Sequence, residues 1–383
     1  MENSCLAEYL DSKKSEILNR LRKLVEIESG SYEKSGVDHA GFFMESELHR
    51  LGFGVEKVSK TNIGNLIYAN KSFNGKGRVL ILGHLDTVWP SGTLNEWPFA
   101  VQSDGFATGP GVGDMKGGLI VALAAIEAAQ ECKLCGLESI AFMLIPDEEL
   151  GSSNSRPLIG KRGRETDWVL VMEPGRANGG VVTSRGAVGC LIVRTEGRTA
   201  HAGNNFKDGI SAVRELAGKI GAMESLSKPE MGLIVNVGIF RGGEARQVVP
   251  GFAEMHIDLR APNDAEMQGL ISRIKEMLQP IISSKVKTVI EGGQTRPTYP
   301  RSAGVKELYG KASAIAAEFN IPLNEVHSTG GSDGSFTAAL GIPTLDGLGP
   351  MSFEICSRRE KIVIESLFER SLLLAELIVK LGE

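Results

Sequence analysis

Four stretches of this chain put a histidine or acids directly beside an apolar run. RVLILG (78–83) is followed by His84-Leu85-Asp86, and Asp114 stands just ahead of LIVALAAIEAA (119–129). SIAFMLIP (139–146) leads into Asp147, Glu148 and Glu149, and DWVLVM (167–172) leads into Glu173. Singly, each has a plain structural role, since a carboxylate after a strand is often a helix N-cap. Together they point elsewhere. Several acids crowded at one point repel each other unless cations hold them. One histidine among oxygen ligands suits zinc or a similar divalent ion, and this many carboxylates suit two ions with one shared ligand.

For these residues to meet, the runs before them must be neighbouring strands of a parallel sheet, whose ligands bind beyond the carboxyl ends of the strands. The pattern agrees. Residues 78–84, 139–146 and 167–173 are near-continuous apolar strands, and 115–131 is a buried helix. Apolar positions at 3–4 spacing predict helices over 12–28 and 37–52. Such alternation implies a mostly parallel sheet covered on both faces. The glycines of GPGVGDMKGG (109–118) give only a weak phosphate-loop signal, because no Gly-Lys-Ser/Thr is present.

From about residue 185 the pattern changes. Strand 186–197 and helix 208–226 are followed by strands 233–240 and 252–260, helix 264–278 and strand 286–292. The order βαββαβ predicts a four-stranded antiparallel sheet with two helices. After 297 a helix over 304–319, a short strand in IPTLDGL and a terminal helix from about 361 resume the first style. The expected fold class is α/β. A large catalytic domain (1–184 and 298–383) would carry an inserted α+β lid or dimerisation domain (185–297).

The totals agree with this reading. A chain of 383 residues is long for one core, so two domains are the default. The net charge of −5 comes without any basic run, which argues against a nucleic-acid partner. The N-terminal MENSCLAEYLDSKKSEIL has acids and no apolar core of signal-peptide length, and the apolar runs are too short to cross a bilayer. The five cysteines are scattered and odd in number, which predicts a reducing compartment without a disulfide framework. The expectation is therefore a cytoplasmic protein. The single Cys132-x-x-Cys135 is weak evidence for zinc and is taken as incidental.

HLDTV (84–88), GPGVGDMKGG (109–118), PDEELGS (146–152), MEP (172–174), RTAHAG (198–203) and TGGSDGSF (329–336), in this order, resemble the zinc-dependent carboxypeptidase and deacylase family. That family includes carboxypeptidase G, acetylornithine deacetylase, succinyl-diaminopimelate desuccinylase and aminoacylase, and the likeness is greatest to the carboxypeptidase G (glutamate carboxypeptidase) branch. The resemblance implies hydrolysis of an amide next to a free carboxylate in small peptides or N-acyl amino acids. It implies two zinc ions per chain, with cobalt or manganese as substitutes. His84 and Glu173 would hold one ion and Glu149 the other, and Asp114, with a cis peptide bond to Met115, would bridge them. Asp86 would accept a hydrogen bond from the second ring nitrogen of His84. Glu148 would be general base on a metal-bound water. His201 would stabilise the oxyanion in a neighbouring subunit, which implies a homodimer through the lid. Arg296 would grip the substrate carboxylate, and Gln247 stands where the family usually has asparagine.

The chain departs from that pattern in two places. The family takes a second-zinc ligand from a C-terminal Gly-x-x-x-x-His-Ser-x-x-Glu, and here that register reads Cys356-Ser357-Arg358-Arg359-Glu360, with no histidine after His327. Either the Cys356 thiolate is a ligand, or the second site is weak and one ion is used, or the protein binds such ligands without cutting them. The intact set around Glu148 argues against the last. The second departure is in NGGVVTS (178–184), which has no lysine where glutamate-specific relatives carry one; this counts against glutamate preference.

Overall fold

The computed structural model describes residues 4–279 and 285–383. The chain forms two compact units, one of residues 1–184, 300–327 and 332–383, the other of 185–299 and 328–331.

In the first unit the chain runs through α1 (Cys5–Val25), α2 (Lys34–Arg50), β1 (Gly54–Val58), β2 (Leu66–Ser72), β3 (Arg78–His84), α3 (Gly118–Glu131), β4 (Ser139–Ile145) and β5 (Trp168–Val171). In the second it runs through β6 (Ala187–Glu196), α4 (Ala212–Glu224), β7 (Ile234–Gly242), β8 (Phe252–Ala261), α5 (Asp264–Met277) and β9 (Lys287–Arg296). It returns to the first unit with α6 (Ala303–Glu318), β10 (Thr344–Leu345) and α7 (Ile364–Gly382).

The six-stranded sheet has the order β1-β2-β4-β3-β5-β10. β4, β3, β5 and β10 are parallel, while β2 runs against both of its neighbours. Both faces are covered, as the unbroken apolar strands require. Along β3, Val79 and Ile81 join the core beneath α1, α3 and α7, whereas Leu80 and Leu82 join a separate cluster with Ile159 and Phe336. α3 is buried from Gly118 to Ala129. Its first residue must be glycine, because a Cβ there would lie 1.9 Å from the Met172 carbonyl oxygen. So the glycines here serve close packing of a helix start against the sheet. The second unit is the expected four-stranded antiparallel sheet, β7-β8-β6-β9, with α4 and α5.

Two expectations need correction. β1 and β2 are not prominent in the sequence: β1 is five residues with Glu56 and Lys57 inside it, and most of it is not buried. The cysteines are not all free. Cys5 and Cys132 form a disulfide, because α1 packs along α3 and brings its first residue to the residue that caps α3. Cys135, Cys190 and Cys356 are free. Among the described residues no helix is long and apolar enough to cross a membrane.

Candidate metal centre

Three parallel strands end at one edge. β3 delivers His84, β4 the turn with Glu148 and Glu149, and β5 the turn with Glu173. Asp114 comes from the irregular turn ahead of α3, and its peptide bond to Met115 is cis. His84, Asp114 and Glu149 each offer a ligand atom within 4.8 Å of the others. The Nε2 of His84 lies 3.1 Å from Asp114 Oδ1. Cys356 Sγ lies 3.5 Å from the other Asp114 oxygen, so the cysteine stands beside the acid expected to bridge two ions. Cys356 adopts a left-handed φ of +58°, which costs a residue with a Cβ on the order of 1–3 kcal/mol.

Electrostatics show what the cluster lacks. Burial, then Asp114, push the Glu149 carboxyl up to about 9. Burial, then Asp114 and Glu148, push Glu173 well above the carboxylate range. Burial works against charge on His84, but Asp114 and Asp86 outweigh it and raise the ring. The same contact, against burial, holds Asp114 down. Burial together with Asp114 and Glu149 raises the Cys356 thiol. Oε1 of Glu149 is buried and has no hydrogen-bond partner among the described residues. Soft and hard donors converge on a point where acids are driven towards neutrality, which fits a divalent cation and would be reversed by one.

Asp86 meets the second ring nitrogen of His84 and also holds the next turn. The Nδ1 of His84 lies 2.8 Å from the Asp86 carbonyl oxygen and 3.5 Å from its carboxylate, so the main chain is the nearer acceptor. The carboxylate, still 3.5 Å from the ring, also accepts from three donors: Ser31 Oγ at 2.8 Å, and the amides of Glu148 at 3.1 Å and Glu149 at 3.2 Å. Asp86 therefore holds the turn that carries the candidate base and a candidate ligand.

Two further supports were not legible beforehand. Buried Glu360 accepts from the amides of Gly113 (2.8 Å) and Asp114 (3.1 Å), and burial raises its carboxyl to about 7. Its place in the C-terminal motif was the available signal. Lys116 is buried, lowered by burial to about 7, and donates to the Ile27 carbonyl at 2.7 Å. It pins the Asp114 turn to the segment after α1.

In the second unit, residues 200–201 pair with 248–249, and the Ala202 amide donates to the Gln247 carbonyl. His201 and Gln247 are thus brought together. The His201 Nδ1 accepts from the amides of Gly203 and Asn204 at 3.1 and 3.0 Å. That fixes the tautomer with the proton on Nε2, as a donor. Arg296 ends β9 and is buried.

A parallel sheet whose strand ends gather one histidine and several acids, with a thiol beside them, is a site suited to a divalent cation. The chain matches the model of peptidase family M20/M25/M40 over residues 80–380 and belongs to that family. It is 30% identical over 374 residues to carboxypeptidase G2 of Pseudomonas sp. (strain RS-16), covering 96% of this chain and 89% of that one. It is 27% identical over 373 residues to the succinyl-diaminopimelate desuccinylase of Thioalkalivibrio sulfidiphilus (strain HL-EbGR7), covering 92% of this chain and 95% of that one. Among solved structures, the aminopeptidase PepT of Bacillus cereus shares the fold with a TM-score of 0.77 at 23% identity, covering 97% and 99% of the two chains. The M20 family metallo-carboxypeptidase Sso-CP2 of Sulfolobus solfataricus does so with 0.77 at 16%, covering 96% and 99%. The protein is a hydrolase of the metallopeptidase type, from a family that acts on peptide or acyl-amino-acid bonds with divalent metals such as zinc.

Proposed function

We propose that this chain hydrolyses the amide next to a free carboxylate in small peptides or N-acyl amino acids, using two zinc ions per chain. The observation that carries this reading is the meeting of His84, Asp114 and Glu149, with Cys356 against the free oxygen of Asp114. His84 and Glu173 would hold one ion, Glu149 and Cys356 the other, and Asp114 both. When bound, such ions polarise the scissile carbonyl and acidify water. Glu148 takes the proton from the attacking water and returns it to the leaving amine. Asp86 positions Glu148 by holding its amide. His201 Nε2–H would donate to the oxyanion developing in the neighbouring subunit, Gln247 would offer an amide donor, and Arg296 would supply the fork for the substrate carboxylate. Cobalt or manganese would serve in the same donor set.

We read residues 1–184 and 298–383 as the catalytic domain and 185–297 as a lid through which two chains form a homodimer in the cytoplasm. Cys356 favours a second reading, a one-metal or non-catalytic relative, because it stands where the family's C-terminal motif has a histidine. Metal content of the parent and of Cys356→Ser separates the two. The proposal expects two ions falling to one, with hydrolysis of N-acyl amino acids that Glu148→Ala abolishes and that amidation of the substrate carboxylate prevents. One ion in both proteins, or no hydrolysis, would sink it.

A further inference from the structure

A cavity of about 200 Å³ opens beside Glu149, lined among others by Tyr32, Val88, Trp89, Pro90 and Leu150. Its walls are two segments stitched together. The Ser31 amide donates to the Thr87 carbonyl and the Thr87 amide to the Ser29 carbonyl. Gly30 allows this approach, since a Cβ there would meet the Trp89 carbonyl oxygen at 2.5 Å. Ser31 also donates to Asp86, so the wall is tied to the residue that holds the Glu148–Glu149 turn. The Trp89 ring packs edge-on against Trp97 at 5.1 Å, and Trp97 is anchored by its indole N–H on Thr108. The cavity is therefore built on rigid supports. Yet Tyr32 is 87% exposed and Val88 45%, an apolar surface left open next to a candidate metal ligand.

The charge at this place restricts what can enter. The titratable lining groups are Glu33, Glu149 and Tyr32, and no Lys, Arg or His of the described residues lines the cavity. Glu33 is already engaged by the amide and hydroxyl of Ser91. A substrate carboxylate finds no cationic side chain to pair with among the lining residues. The half of the substrate that bears the free carboxylate belongs elsewhere, which leaves the acyl half. A cavity of roughly 150 Å³ suffices for a benzene ring, so this one holds a branched aliphatic chain or a single ring.

Resting on the hydrolase reading above, we propose that this cavity receives the acyl group of the substrate and that the enzyme selects apolar, branched or aromatic acyl groups over acetyl and over anionic ones such as succinyl. Tyr32 and Val88 are the specificity-determining side chains, because they line the cavity without serving the fold's core.

The test compares kcat/KM for acetyl, isovaleryl, phenylacetyl and succinyl derivatives of several amino acids, with parent, Tyr32→Ala and Val88→Ser. Differences of one or two methylenes in an apolar pocket are worth about 10–200-fold. The expected result is a preference of at least about 10-fold for isovaleryl and phenylacetyl over acetyl and succinyl, with that ratio falling several-fold in either variant. Equal rates across the acyl groups, succinyl as the best substrate, or a preference that follows the amino-acid half would each overturn the proposal. Should no compound be cut, the hydrolase reading fails on its own. The same panel titrated by calorimetry into zinc-loaded Glu148→Ala protein then decides the cavity: tighter binding of apolar acyl groups upholds it, and equal binding overturns it.

Discussion

α3 and the turn before it touch two groups of buried acids, and the two are held differently. Towards the end of the helix, Glu127 accepts from Arg50 at 2.7 Å and from Arg20 of α1. Burial alone would push its carboxyl up, but these two guanidiniums outweigh it and bring it down to about 2. Before the helix begins, Asp114 meets Glu149 and its charge reaches Glu173, and there burial and repulsion win: Glu149 rises to about 9 and Glu173 well above its usual range. Arg176 acts on Asp114 and Lys116 is committed to a carbonyl, yet neither reverses this. The first group is complete with protein alone. The second is left with its acids raised, a state that a bound cation would reverse, and that difference separates an acid that braces a fold from candidate metal ligands.

The largest effect should come at the unfinished cluster. Glu148→Ala should lower kcat by about 10³-fold or more while leaving metal content as in the parent, since a positioned general base contributes 10²–10⁴-fold. Equal loss of metal would make Glu148 a ligand instead. Next is the finished cluster. Glu127→Ala removes an acid shared by Arg20 and Arg50, which keep Glu16 and Glu47, so the loss is that of charged hydrogen bonds, about 1.5–3 kcal/mol. Chemical denaturation should show that loss, whereas zinc per folded chain should not change; a fall in zinc would mean that the two clusters are coupled.

Glu360→Gln sharpens the comparison at the turn between them. It weakens the acceptor that holds the Gly113 and Asp114 amides, and losing such an outer support lowers metal affinity about 10–100-fold. Competition with a chelator of known zinc affinity would read this, and an unchanged affinity would make Glu360 a packing residue.

The subtlest effect is in pH. The Glu127 carboxyl is depressed from 4.5 to about 2, so its contribution is present above the unfolded value and is lost as pH falls through the folded one. The stability gap between parent and Glu127→Gln should be full above about pH 4.5 and close towards pH 2. A gap that is flat across this window would show that Glu127 does not stabilise through its charge.

The parallel strands were legible because each is buried on both faces, which demands an unbroken apolar run, and the acids after them were legible because they interrupt that run. β1 is the edge strand and β2 lies beside it, and their partial exposure permits Glu56, Lys57 and Asn70, so their signal was faint. The disulfide had no signal at all. Cys5 and Cys132 are 127 residues apart, and only the packing of α1 along α3 joins them.

The sequence by itself determined which chemical groups arrive at the strand ends, since strand period and apolar content decide where each run stops. It also placed Cys356 and Glu360 in one motif. Only the tertiary structure decided what these residues touch: Cys356 against Asp114, Glu360 beneath two amides, and Asp86 shared between His84 and the Glu148 turn. The reason is physical. Local pattern governs which face of an element is buried, but the partner of a buried polar group is chosen by whichever donors the folded chain leaves within reach.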